Sequence, residues 1–372
     1  MARGDVEILP EADRLAEFAH PRETFDLVGQ AEAEAAVLDA WGSGKMHHAW
    51  LLSGPKGVGK ATLAYRMARF LLTYAEPKAD HVPEDLAVSA EAPAARLVTA
   101  LSHPDLFVLR RPWDPKTKKH KASIPVDEVR RIGGFFSTHS SMGGWRVVIV
   151  DSADEMNPAA ANAILKMLEE PPSQTILMLI SHSPGRLLPT IRSRCRKLTL
   201  NPLGADDIAH VLAANEQEVA PKDTAAVALL AEGSAGEALS LAAGGGLELY
   251  REIESVLGSL PNPDGTALHT LADKVAKRGA DDTWRAAQDM ITRWCGRVAR
   301  MLATGETAPD IITGEGSRVL DLSAGTSPAA WAEAWSQLGQ DFARGDGLNM
   351  DRKQVFMNAV LRLQALAAKR AA

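Results

Sequence analysis

Between residues 48 and 200, short apolar runs alternate with stretches in which apolar positions recur every three or four residues. That is the pattern of buried parallel strands joined by crossover helices. HAWLLS, from His48 to Ser53, predicts a strand that enters a glycine-rich turn. Beyond the turn, Leu63, Met67, Phe70, Leu71 and Tyr74 fall on one helical face. PDLFVL predicts a second strand and PVDEVRRIGGFF a helix opening on a proline. WRVVIVD, ending at Asp151, is apolar along its length, as a strand covered on both faces must be. The following helix takes Asn157 as its cap and Pro158 as its first residue, and it stops at Pro171 and Pro172. TILMLIS then predicts another buried strand.

After Leu200 only helical periodicity remains, punctuated by Asn201-Pro202, Gly233 and the run Gly244 to Gly246, which places boundaries near 200 and 246. Trp284, Ile291, Trp294, Val298 and Leu302, and later Phe356, Val360, Leu363 and Leu366, mark long amphipathic helices of a bundle. Glu76 to Ala95 and Arg111 to Ala122 read as loops, the second carrying KTKKHK. No solenoid-length repeat is evident.

At 372 residues the chain has room for two or three domains, and 46% hydrophobic with 24% charged residues excludes disordered, collagenous and disulfide-stapled classes. Lys plus Arg at 41 against Asp plus Glu at 47 leaves a net charge of −6, so any nucleic-acid contact is local or shared with a partner. Cys195 and Cys295 are too few for a disulfide framework or a clustered zinc site. With neither a leader nor a long apolar segment, the expectation is a cytoplasmic chain.

The chemistry concentrates in GPKGVGKAT, that is Gly54, Pro55, Lys56, Gly57, Val58, Gly59, Lys60, Ala61 and Thr62. This nearly matches the P-loop pattern, in which glycines turn backbone N–H groups around phosphates at a helix N-terminus and the lysine reaches the β- and γ-phosphates. A glycine-rich surface turn is the plain alternative. Ala61 stands where a Ser or Thr hydroxyl would ligate magnesium, which leaves metal binding open. Asp151 would close a second nucleotide-site strand, followed by Ser152, a poor base near neutral pH. Asp154 and Glu155 read as solvated or capping groups.

NAILKMLEEPPSQTILMLIS from Asn162, LLPTIRSRCRKLTL from Leu187 with its Ser193-Arg194-Cys195 triplet, LVGQAEA at Leu27, HPD at His103 and NMDRKQVF at Asn349 together resemble the clamp-loader branch of the AAA+ ATPases across nearly the whole chain. The resemblance implies a RecA-like α/β AAA+ module over residues 1–200, a helical lid over 201–246 and an all-α collar over 247–372. It also implies a pentameric ring with motor subunits of the gamma/tau type and a delta subunit, which opens the sliding beta clamp and places it on primed DNA. Arg194 would then reach in trans to the γ-phosphate held by a neighbouring motor subunit. Such a role suits an always-charged guanidinium with several donors.

Three departures from the motor subunits accompany the resemblance: Ala61, Ser152, and Gly236 in GSAGEALSL where those subunits carry a sensing arginine. They imply a subunit that holds ATP or ADP without hydrolysing it. An active motor ATPase and a free-standing P-loop phosphotransferase are the rival readings. The cysteine-free stretch from Glu76 to Leu101 implies no zinc, and His81, His103, His120 and His139 read as structural or surface residues. Cys195 reads as a packing residue, and KTKKHK as a solvated loop or a contact to backbone phosphate.

Overall fold

The computed structural model describes residues 10–15, 17–76, 83–137, 140–323 and 325–368. His81, His139 and part of the stretch read as a loop after Glu76 lie outside them. The chain divides into two compact units, Met1–Val211 with Glu232–Glu237, and Leu212–Ala231 with Ala238–Ala372.

In the first unit α1 (Ala31–Gly42) precedes β1 (Ala49–Ser53), and α2 (Lys60–Thr73) and α3 (Pro93–Thr99) lead to β2 (Leu106–Arg110). A small hairpin, β3 (Trp113–Asp114) and β4 (Lys119–His120), comes before α4 (Val126–Phe136) and β5 (Arg146–Asp151). Then follow α5 (Pro158–Glu169), β6 (Thr175–Ser181), α6 (Pro189–Arg192), β7 (Arg196–Thr199) and most of α7 (Ala205–Ala214). The five long strands form one sheet in the order β2-β5-β6-β1-β7, every pairing parallel. This is the α/β module expected of the AAA+ family.

Strand composition dictates this arrangement. Every residue of β1, β5 and β6 is buried, as their continuous apolar runs require of strands covered by helices on both faces. Trp50, Leu52, Val147, Ile149, Met178 and Ile180 face α1 and α2, whereas Leu51, Val148, Val150, Leu177 and Leu179 face α4 and α5. Two adjacent residues on one strand thus belong to two different cores, the consequence of a period of two. Where a loop was expected, the structure sets α3 at Pro93 and the β3–β4 hairpin inside Arg111 to Ala122. Proline at the first turn of α3 supplies a helix start that the Ala- and Pro-rich composition hides.

Among its described residues the second unit contains helices and no strands. Six helices, α10 (Gly246–Leu257), α11 (Gly265–Ala276), α12 (Asp281–Thr304), α13 (Glu315–Ser323), α14 (Pro328–Gly347) and α15 (Arg352–Ala367), follow α8 (Pro221–Leu230) and most of α9 (Ala235–Ala243). α12 carries the predicted face, with Trp284, Ile291, Trp294 and Val298 all buried, and Trp294 meets Trp331 of α14 edge to face at 6.0 Å. No helix among the described residues is long and apolar enough to cross a membrane.

Candidate functional site

All five sheet strands run the same way, so the segments that leave their C-terminal ends gather at one edge. Ser53 pairs with Ser181 in register, and Arg110 with Asp151. Consequently the turn after β1, the Asp151-Ser152 step after β5 and His182 after β6 converge there.

The glycines of the phosphate-binding pattern have the conformations that only glycine adopts freely. Gly57 and Gly59 have φ of +78° and +100°, and a side chain on Gly57 would run into the Ser234 hydroxyl. Lys60 opens α2, with its ammonium buried and donating to the Gly54 carbonyl at 2.8 Å and to that of Pro55. Burial pulls Lys60 down to about 8, against the favourable charges of Asp151 and Asp154. Ala61 and Thr62 follow in the first turn, half-buried, while Pro55 and Lys56 are exposed and Val58 is fully buried.

Gln30, at the start of α1, is a positioning residue that sequence reasoning left without a role. Its amide donates to the Val58 carbonyl at 3.2 Å and to the Asn201 carbonyl at 2.8 Å, fastening the turn to the segment after β7. The only trace of it in the sequence was the LVGQ motif.

Beyond Asp151 the sequence offers a hydroxyl, and the structure shows what engages it. Ser152 Oγ donates to Asp151 Oδ1 at 3.1 Å and lies 2.9 Å from His182 Nε2. Burial takes His182 down to about 4, so near neutral pH its imidazole is uncharged. With its proton on Nε2 it completes a chain of donors from His182 through Ser152 to Asp151. His182 escaped the sequence reading because it meets Ser152 only through strand order, β6 lying directly beside β5.

Asp154 accepts the His182 backbone N–H at 3.1 Å, and Glu155 pairs with Arg111 at 2.7 Å. Both carboxylates are therefore engaged, as capping and pairing groups. No carboxylate occupies the position after Asp151, and the hydroxyl found there is committed at both ends.

The segment Glu232–Glu237 also touches the turn. Ser234 Oγ accepts the Glu237 N–H at 3.1 Å, capping α9. The Gly236 N–H, one of the donors that a first helical turn leaves without an intrahelical acceptor, donates to the Gly57 carbonyl at 3.1 Å. A Cβ on Gly236 would press on the Gly57 Cα at 3.3 Å.

Arg194 belongs to a different group. It follows α6, donates to the Thr190 carbonyl at 3.0 Å and pairs with Glu169 at the end of α5 at 2.7 Å, its side chain 35% exposed. None of these contacts involves the phosphate turn. Next to it Cys195 packs into the α4–α5 side of the core, where burial raises its thiol to about 12 and makes it a poor nucleophile.

A family model described as DNA polymerase III, delta subunit, matches residues 29–204. The chain is 44% identical over 148 residues to the DNA polymerase III subunit delta' of Pseudomonas aeruginosa, covering 40% of this chain and 41% of that protein. It is 32% identical over 233 residues to the subunit delta' of Escherichia coli strain K12, covering 62% and 66% respectively. To the subunit tau of the same strain it is 30% identical over 264 residues, covering 68% of this chain and 38% of that one. The matches thus span between two fifths and two thirds of the length of these delta' relatives.

Proposed function

The chain belongs to the delta' family of DNA polymerase III clamp-loader AAA+ proteins, and from that premise we propose that it is a non-hydrolysing subunit of a sliding-clamp loader that donates Arg194 in trans. It assembles with gamma/tau motor subunits and a delta subunit, and with them acts transiently on the beta clamp and primed DNA. The nucleotide module over 1–200 and the lid over 201–246 build one wall of the ring, and the collar over 247–372 supplies the assembly contacts.

One observation carries the reading. The position that must orient an attacking water holds Ser152, whose hydroxyl is bound to Asp151 and close to His182, and serine is a poor base. The turn itself, with Lys60 and the glycines from Gly54 to Gly59, still suits a triphosphate, so ATP or ADP is the ligand proposed for it. Ala61 supplies no oxygen for a metal.

Arg194 suits a neighbour's γ-phosphate because its fork of donors is partly exposed and its contacts, Thr190 and Glu169, are ones a phosphate could replace. The intact Lys60 cradle and the likeness to tau favour a second reading, an active motor ATPase.

Purified chain, with or without clamp and DNA, is expected to hydrolyse ATP at background rate. Turnover that disappears in Lys60→Ala would instead establish the motor reading. In a reconstituted complex, Arg194→Ala should leave assembly intact and lower ATP hydrolysis severalfold or more. Unchanged hydrolysis would remove Arg194 from the mechanism. Calorimetry with ATP and with ADP tests the occupancy of the turn.

A further inference from the structure

The β3–β4 hairpin concentrates positive charge on an otherwise acidic chain. Lys116, Lys118, Lys119 and Lys121 lie within six residues of a molecule whose net charge is −6. All four are exposed, and none forms an ion pair among the described residues.

The hairpin's construction turns these lysines outward. Trp113 pairs with His120 in register, their rings 5.0 Å apart and edge to face, and both are half-buried. Side chains alternate between faces along a strand, so Lys119 and Lys121 stand on the face opposite that aromatic pair. Asp114 is used up within the turn, where its Oδ1 accepts the Lys116 N–H at 2.9 Å. Below the turn the stem is fixed: the Lys121 N–H donates to the Pro112 carbonyl at 2.9 Å, and Arg111 is held by Glu155 at 2.7 Å. The hairpin leaves β2 beside Arg110, hence from the same edge of the sheet as the phosphate turn.

We propose that this hairpin is a contact surface for the sugar-phosphate backbone of duplex nucleic acid, with Lys116, Lys118, Lys119 and Lys121 as its phosphate contacts. The tip, Pro115 to Lys119, carries no aromatic or arginine anchor of the kind that makes a protein interface tight. Point-charge ammonium groups on flexible stems match a regular array of phosphates and read no base sequence. The surface does not depend on Arg194 or on assembly of a ring, so its failure would leave the proposed function standing.

The test uses the full chain alone and a labelled mixed-sequence duplex, with anisotropy followed across a salt series. Binding is expected at low salt. Each phosphate contact contributes about 0.9 to the slope of log affinity against log salt. The variant with all four lysines changed to alanine should therefore flatten the slope by about 3 to 4, while the variant with all four changed to arginine should keep it. Tightness should be the same for two duplexes of unrelated sequence. Absence of binding at low salt, or an unchanged slope in the alanine variant, would overturn the proposal. So would equal loss in the alanine and arginine variants, since that would point to shape and not to charge.

Discussion

Asp151 is 8% exposed, and burial together with the nearby carboxylate of Asp13 pushes its pKa up to about 7. In the unfolded chain the same group loses its proton near the ordinary aspartate value of 3.8. Between those two values the folded state binds more protons than the unfolded one, so this group lowers stability as pH rises towards 7. A tenfold difference in proton affinity between the two states is worth about 1.4 kcal/mol. Asp151→Asn should accordingly stabilise the chain by about 2–4 kcal/mol at pH 8, and by clearly less at pH 5. Urea unfolding at the two pH values checks this, and a gain that is equal at both would refute it. His182 has the opposite sign: its folded pKa of about 4 lies below the ordinary 6.5, so its contribution is lost as pH falls between those values. Sequence could name Asp151 and Lys60 because strand ends and glycine turns are local features. It could not pair Ser152 with His182, thirty residues away, or bring Asp13 towards Asp151.

Whole elements were legible wherever their periodicity was long. The apolar runs of β1, β5 and β6 forecast their burial, and the Asn157 cap of α5 is formed as read, its Oδ1 accepting the Ala160 N–H at 2.8 Å. Because α5 packs beside α4 on one face of the sheet, that cap supports the helix ending at Glu169, the partner of Arg194. Asn157→Ala should destabilise the chain by about 1 kcal/mol, read from the urea midpoint. β7 gave no such signal: on this edge strand only Leu198 of Arg196–Thr199 is buried, so no apolar run marks it. The two-residue strands of the lysine hairpin are shorter than any periodicity can reveal.

Across the whole molecule the two units differ in the kind of element that builds them, a parallel sheet with its helices in the first and helices without strands among the described residues of the second. The first is built on strands paired out of sequence order, so its neighbours had to be found in the structure. The second stacks helices whose own apolar faces announce them, as with Phe356, Val360 and Leu363 of α15, all buried. The resemblance motifs are spread over both parts, from LVGQAEA to NMDRKQVF, which explains why family membership was readable when individual contacts were not.

The hydrogen bond from Gly236 to Gly57 joins residues that are far apart in sequence. The Gly236 amide gives up its proton to solvent only when that bond opens, so its deuterium uptake is a clock for the loosening of the phosphate turn. Gly57→Ala, which forces a side chain against Ser234, should make that clock run faster at position 236 while leaving amides in the middle of β5 as slow as before. Mass-spectrometric labelling of the two peptides would record it, and uniform acceleration of both would mean that the substitution had merely unfolded the sheet.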